Sequence, residues 1–207
     1  MIYNHDHEES PEPQEEDAEG APFGADAEED PLVGLVGEIT ENAAQQIALM
    51  LLGLNGNTLR HPPEPDAPRP SDVEFFISSA GGNISEMFTI YDLMRLVQER
   101  RDIATFGYGK VASAAVPLLA AGTPGKRHIA KHARIMLHHC SSNVAGPVPM
   151  VRTSFDELKK VEDMMVGILT QHSNLSAGEI YNIFSRNTDE YFSAEDALEM
   201  GLVDKII

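Results

Sequence analysis

The sequence predicts an α/β fold with a largely parallel sheet covered by helices. Three observations carry that prediction. From residue 31 onward, short β-branched or aromatic runs alternate with segments of helical apolar spacing, the pattern of βαβ units. The chain has 207 residues, 42% of them hydrophobic, which suits one domain with a substantial core plus a tail. No internal repeat is visible, and a single cysteine, Cys140, rules out an internal disulfide and fits a reducing compartment.

Order is expected to begin at Pro31. "PLVGLVGEI" reads as a short buried strand, and "TENAAQQIALMLLGL" has helical spacing with Thr40 as its N-cap. "NGNTLRHPPEPDAPRP", residues 55–70, carries five prolines and is an irregular loop. "VEFFIS" is a strand at 73–78, and "SAGGN" turns the chain. In "ISEMFTIYDLMRLVQER" the apolar positions Ile84, Met87, Phe88, Tyr91, Met94 and Val97 fall three or four apart, which makes an amphipathic helix. Asn83 and Glu86 at its start have the spacing of a capping pair. "DIATFGYG" is the next strand and "SAAVPLLAAG" the next helix; "KRHIA" and "ARIMLHH" are two short strands. Helices at "SFDELKKVEDMMVGILTQHS", "SAGEIYNIFSR" and "SAEDALEMG" follow, and "LVDKII" is the closing strand.

The formal charge of −18 is unevenly placed. Residues 1–30 hold 12 Asp/Glu and no Lys or Arg, two thirds of the net charge in one seventh of the chain. Such an acidic, Pro- and Ala-rich stretch buries too little apolar surface to offset the entropy of ordering it, so residues 1–30 are expected to be a disordered acidic tail. Only 15 Lys and Arg occur in the whole chain, which disfavours nucleic-acid binding. No apolar stretch reaches transmembrane length and no basic-then-apolar leader opens the chain, so a soluble, cytoplasmic protein with no membrane partner is expected.

Three features carry candidate chemistry. Pro117 lacks an N–H, and deep inside a helix its ring would clash with the carbonyl of Ser113; in a first turn the strain is slight. The helix therefore begins close to Ser113, at a strand-to-helix junction where backbone N–H groups are unpaired. Such a junction suits a serine nucleophile, and equally a serine N-cap. Gly81–Gly82 after the strand "VEFFIS" lets a backbone approach a ligand closely, or simply makes the turn. "IMLHHC" at 135–140 offers histidines able to serve as base to an acyl-transfer serine. Adjacent side chains on a strand point to opposite faces, so at most one of His138 and His139 faces Ser113. No tight Cys/His/Glu ligand set accompanies them. His128 and His132 read as surface residues, and Cys140 reads as structural rather than as a thiol nucleophile.

In that order, "FFISSAGGNISEMFTIYDLM", "GYGKVASAAVPLLAAGTPGKRHIAKHARIMLHH" and "DEYFSAEDALEMGLVDKI" resemble the ClpP family, the proteolytic subunits of the ATP-dependent Clp protease. The resemblance runs from about residue 31 to residue 207. It implies a ClpP/crotonase-like fold of repeated ββα and βαβ units with a protruding handle helix, at 154–172 here. It also implies a serine protease domain over 31–207 that cleaves unfolded polypeptides through a Ser-His-Asp acyl-enzyme. Ser113 then matches the nucleophile, with Gly109 in the turn before it, His138 the base, Asp189 the aspartate that orients it, and Gly82 and Ala114 the two oxyanion N–H donors. Further implications are self-association into two stacked heptamers, an AAA+ unfoldase as partner, and no metal or cofactor. ATP would be used only by that partner, since no G-x-x-x-x-G-K-[ST] motif occurs in this chain.

The chain departs from the family pattern at several points. The acidic tail stands where the pore-lining N-terminal segment belongs, and loop 55–70 is longer than its counterpart. Ala114 stands for a usual methionine, and His139–Cys140 for a different pair. The segment after the histidine, normally glycine-rich and extended, reads "SSNVAGPVPM", in which Pro147 and Pro149 remove ladder donors. Two alternatives stand beside the protease: a catalytically silent ClpP-like ring subunit, and an acyl-CoA enzyme of the crotonase fold.

Overall fold

The computed structural model describes residues 30–55 and 69–207. The acidic tail, except Asp30, and most of the proline-rich loop lie outside the described residues. β1 (Leu32–Ile39) leads to α1 (Glu41–Asn55), β2 (Val73–Gly82), α2 (Ile84–Gln98), β3 (Ile103–Ala112) and α3 (Ala115–Ala120). Then come β4 (Arg127–Ile129), β5 (Arg134–Leu137), α4 (Val148–Gln171), α5 (Ala177–Ser185), β6 (Glu190–Phe192), α6 (Ala194–Glu199) and β7 (Lys205–Ile206). The architecture is the expected α/β one. Strands β1-β2-β3-β4-β7 lie side by side, all parallel.

β3 serves two partners in succession. Thr105, Phe106 and Gly107 pair with β4, whereas Lys110, Val111 and Ala112 pair with β5. β5 therefore takes over where β4 has diverged, and the chain leaving β3 runs beside the chain leaving β5. β6 closes the far side of β5 in the one antiparallel pairing among the described residues. That three-residue strand was not read from the sequence, where "EYF" is too short to show alternation.

The caps follow from local chemistry. Ala43 N–H donates to Thr40 Oγ1 at 3.2 Å, and Asn83 Oδ1 accepts from Ser85 and Glu86 N–H, starting α1 and α2 where expected. α4 begins at Val148 rather than near 154, because Pro149 falls in its first turn, where a missing N–H removes no intrahelical bond. At 24 residues it is about 36 Å long. Only its C-terminal part is buried, through Met165, Val166, Ile168 and Leu169, while Val148, Met150 and Phe155 stand exposed.

The strands bury alternate residues. Val33, Leu35, Phe75, Ile77, Ile103 and Val111 are almost wholly inaccessible beneath helices. The opposite face is only half covered, so β1, an edge strand, alternates buried and exposed residues rather than being buried throughout. On that outer face the rings of Phe76, Phe106 and His128 stack in series, at 5.0 and 4.7 Å between centroids. His128 is thus a half-buried stacking residue, not the free surface residue expected; His132 is exposed as read.

A polar hub ties β4 to the C-terminal segment. Arg127 forks onto the Asp204 carboxylate and also donates to the carbonyls of Ala120, His172 and Gly201. No described helix is long and apolar enough to cross a membrane.

Candidate active site

The site forms where the chain leaves β3. Ala112 ends the strand, and Ser113 takes φ = 54°, a left-handed conformation that costs a non-glycine residue about 1–2 kcal/mol. Its N–H donates to Met136 O at 2.8 Å, which ties the turn to β5. The reversed backbone turns the side chain away from the strand's alternation and into a cavity of about 600 Å³. There, Ser113 Oγ lies 2.7 Å from His138 Nε2. The plain-cap reading of Ser113 fails: the cap of α3 is Ala114, and the serine side chain makes no capping bond. Pro117 is the third residue of α3, inside the first turn as its chemistry requires.

Gly81 packs directly against this turn. Its φ is +87°, and a Cβ there would lie 2.7 Å from both Ala112 O and Ser113 Cβ and 3.0 Å from Ala114 N. A Cβ on Gly82 would meet Ile39 O at 2.5 Å. Both positions require glycine because backbone fills the space where a side chain would go. Instead of turning the chain, they continue β2 to its last pair, Ile39↔Gly82. The Gly81 N–H is taken by the buried Ser79 Oγ at 3.0 Å. Gly81 thus packs on the serine turn, and Gly82 lines the same cavity as Ser113.

His138 is the first residue after β5. With the pleat ended at Leu137, His138 and His139 no longer face opposite ways: their rings meet edge to face, 6.0 Å apart, and both line the cavity. Only His138 bonds the serine, while His139 Nδ1 is buried and lacks a partner among the described residues. The following segment is pinned to α4, since Cys140 N–H donates to Glu162 Oε2 at 3.1 Å. Burial, with Glu162 nearby, pushes the Cys140 thiol up to about 11, so at neutral pH it is protonated and a poor nucleophile.

Asp189 is brought close by backbone but not joined by side chain. The antiparallel pair Leu137↔Glu190 sets residue 189 opposite residue 138, one step further along. The Asp189 side chain is exposed, however, and accepts a long bond from the Tyr191 hydroxyl at 3.4 Å. Among the described residues no hydrogen bond links it to His138.

Two contributors to the cavity were not read from the sequence. α4 supplies an apolar wall through Leu158, Val161 and Met165, and β1 supplies Glu38 at the rim. The apolar stripe of α4 was visible, but nothing in its spacing separates core from cavity wall. Glu38 gave no local signal. Among the described residues no three His, Cys, Asp or Glu side chains gather to hold a metal ion. What the arrangement offers is a serine hydroxyl in hydrogen-bond contact with an imidazole, both lining one cavity, the pairing that nucleophilic catalysis uses.

Comparison with known proteins shows the family. Residues 26–207 match the family described as Clp protease. Over 181 residues the chain is 35% identical to an ATP-dependent Clp protease proteolytic subunit 1 of Tropheryma whipplei, covering 86% of this chain and 81% of that one. It is 33% identical over 178 residues to a proteolytic subunit 4 of Rhodococcus jostii, covering 85% and 84% of the two chains. A proteolytic subunit 2 of Bifidobacterium longum is 30% identical over 178 residues, at 86% and 79% coverage.

Proposed function

The chain belongs to the Clp protease family, and from that premise we propose that it is a serine endopeptidase subunit of a ring-shaped proteolytic chamber. The observation that carries this reading is the 2.7 Å approach of His138 Nε2 to Ser113 Oγ, with Ser113 held at φ = 54° to make it. Nucleophile and base in hydrogen-bond contact at a strained turn are the requirement for acyl transfer.

In this reaction Ser113 Oγ attacks a peptide carbonyl of an unfolded chain lying in the cleft. His138 Nε2 takes the serine proton and returns it to the leaving amine. The N–H groups of Gly82 and Ala114 hold the tetrahedral oxyanion, each donor contributing about 10²–10³ in rate. Water, activated by the same imidazole, then releases the acyl group from Ser113. Asp189 orients the imidazole once its carboxylate turns from Tyr191 to Nδ1 of His138. No metal or cofactor takes part. Rings stacked as two heptamers in the cytoplasm, fed by a separate AAA+ ATPase, complete the proposal. The exposed first half of α4 is the surface for contact between rings.

A second reading is favoured by one observation, the engagement of Asp189 with Tyr191 instead of His138. In it the chain is a catalytically silent ring subunit. A fluorophosphonate probe separates the two. The protease reading expects Ser113 to label in the assembled protein, Ser113→Ala not to label, and Asp189→Asn to label at least tenfold more slowly. Absence of labelling in the assembled wild type overturns it in favour of the silent subunit, and equal labelling of Ser113→Ala overturns Ser113 as the nucleophile.

A further inference from the structure

The Glu38 carboxylate stands at the cavity rim, and among the described residues no cation pairs with it. Between the pairs Val36↔Ser78 and Glu38↔Gly81, β2 gains one residue on β1, so the end of β1 is drawn alongside the glycine pair. A Cβ on Gly82 would come within 3.0 Å of Glu38 Cγ, which places the stem of the glutamate against the Gly82 backbone. The side chain is exposed, and among the described residues no hydrogen bond or ion pair holds its carboxylate. None of the residues lining the cavity is Lys or Arg. The Glu162 carboxylate of α4, by contrast, already accepts the Cys140 N–H.

This placement has a consequence for acyl transfer. A negative charge near the point where an oxyanion forms opposes that charge. A cation on the substrate near the scissile bond cancels the opposition and pairs with the carboxylate, and a substrate anion adds to it. Building on the reaction set out under Proposed function, we propose that Glu38 is a specificity-determining residue. It favours peptides with Lys or Arg flanking the scissile bond and disfavours those with Asp or Glu there.

The test uses internally quenched peptides identical except for Lys or Glu at one of the two residues on either side of the cleaved bond. Their kcat/KM values are measured with the assembled wild type, Glu38→Gln and Glu38→Lys, at low and high salt, and each protein is labelled in parallel with a fluorophosphonate. Wild type should cleave the Lys peptide faster at one or more positions. Glu38→Gln should lower the Lys-to-Glu ratio by about three- to fivefold, the scale of an exposed ion pair. Glu38→Lys should invert the ratio, and high salt should compress it. A ratio unchanged in both variants, while Ser113 still labels, overturns this inference alone. Failure of Ser113 to label overturns the serine-hydrolase reading and this inference with it.

Discussion

Replacing Gly81 with alanine tests how closely β2 is packed on the nucleophile turn. Gly81 and Gly125 share the same backbone angle, φ = +87°, so an alanine at either carries the same left-handed strain, about 1 kcal/mol. Their surroundings differ. A Cβ at residue 125 meets nothing within 4 Å, whereas one at residue 81 meets Ala112 O and Ser113 Cβ at 2.7 Å. Ordinary contact begins near 3.5 Å, so β2 and the turn after β3 must separate by roughly 0.8 Å. Overpacking of that kind adds about 1–3 kcal/mol. At about 2–4 °C per kcal/mol for a domain of this size, Gly125→Ala should lower Tm by about 3 °C and Gly81→Ala by about 6–12 °C. The displaced atoms include Ser113, whose 2.7 Å bond to His138 cannot survive a shift of this size without realignment. A 1 Å misplacement costs about 10² in rate, so fluorophosphonate labelling of Gly81→Ala should slow at least tenfold, with Gly125→Ala unaffected. The assay is a thermal melt and a labelling time course on both variants at one protein concentration. If Gly81→Ala melts no lower than Gly125→Ala and labels at the wild-type rate, β2 does not pack closely on the nucleophile turn.

Three further outcomes are expected. Ser113→Gly and Ser113→Ala should both abolish labelling, but the glycine variant should melt about 2–4 °C higher than the alanine variant, because glycine adopts φ = 54° without strain; equal melting temperatures would contradict strain at the turn. His172, in contact with the Tyr91 hydroxyl at 3.0 Å, has its pKa lowered to about 4, first by burial and then by Arg95 and Arg127. The unfolded chain, with an ordinary histidine near 6.5, then binds the proton more readily. Stability is full above about pH 6.5 and falls as pH drops toward 4, by about 2 kcal/mol once partial exposure is allowed for; urea titrations of wild type and His172→Gln across that window should differ in slope. The Cys140 thiol, protonated and buried against Met165, should react with iodoacetamide at pH 7.5 at least tenfold more slowly in the native protein than in urea, followed by mass spectrometry.

The caps, the helical stripe of α2 and the strand runs were legible because each is a local property of a few consecutive side chains. Thr40 and Asn83 cap where read, and the periodic positions Met87, Tyr91, Met94 and Val97 are buried as read. Pro117 correctly placed the start of α3 near Ser113, since a proline ring restricts only its own turn. The reading failed where a residue's fate depended on remote chain. His138 and His139 were assigned to opposite faces by strand geometry, but β5 ends at Leu137, two residues earlier than read, and both line the cavity. Arg127 in "GKR" gave no hint that its guanidinium would join Asp204 to three carbonyls from separate segments.

By itself the sequence determined the α/β alternation, the strand-to-helix junction at Ser113 and the residues of a candidate acyl-transfer set. Those are matters of side-chain type, spacing and backbone restriction. Only the tertiary structure decided that His138 and His139 line one cavity, that Asp189 is opposite His138 yet bonded to Tyr191, and that Glu38 reaches the rim of the cavity. The physical reason is the register of the sheet. β3 changes partner from β4 to β5 partway along its length, and β2 gains a residue on β1. Such shifts bring together residues 25 to 75 positions apart, and no local pattern encodes them.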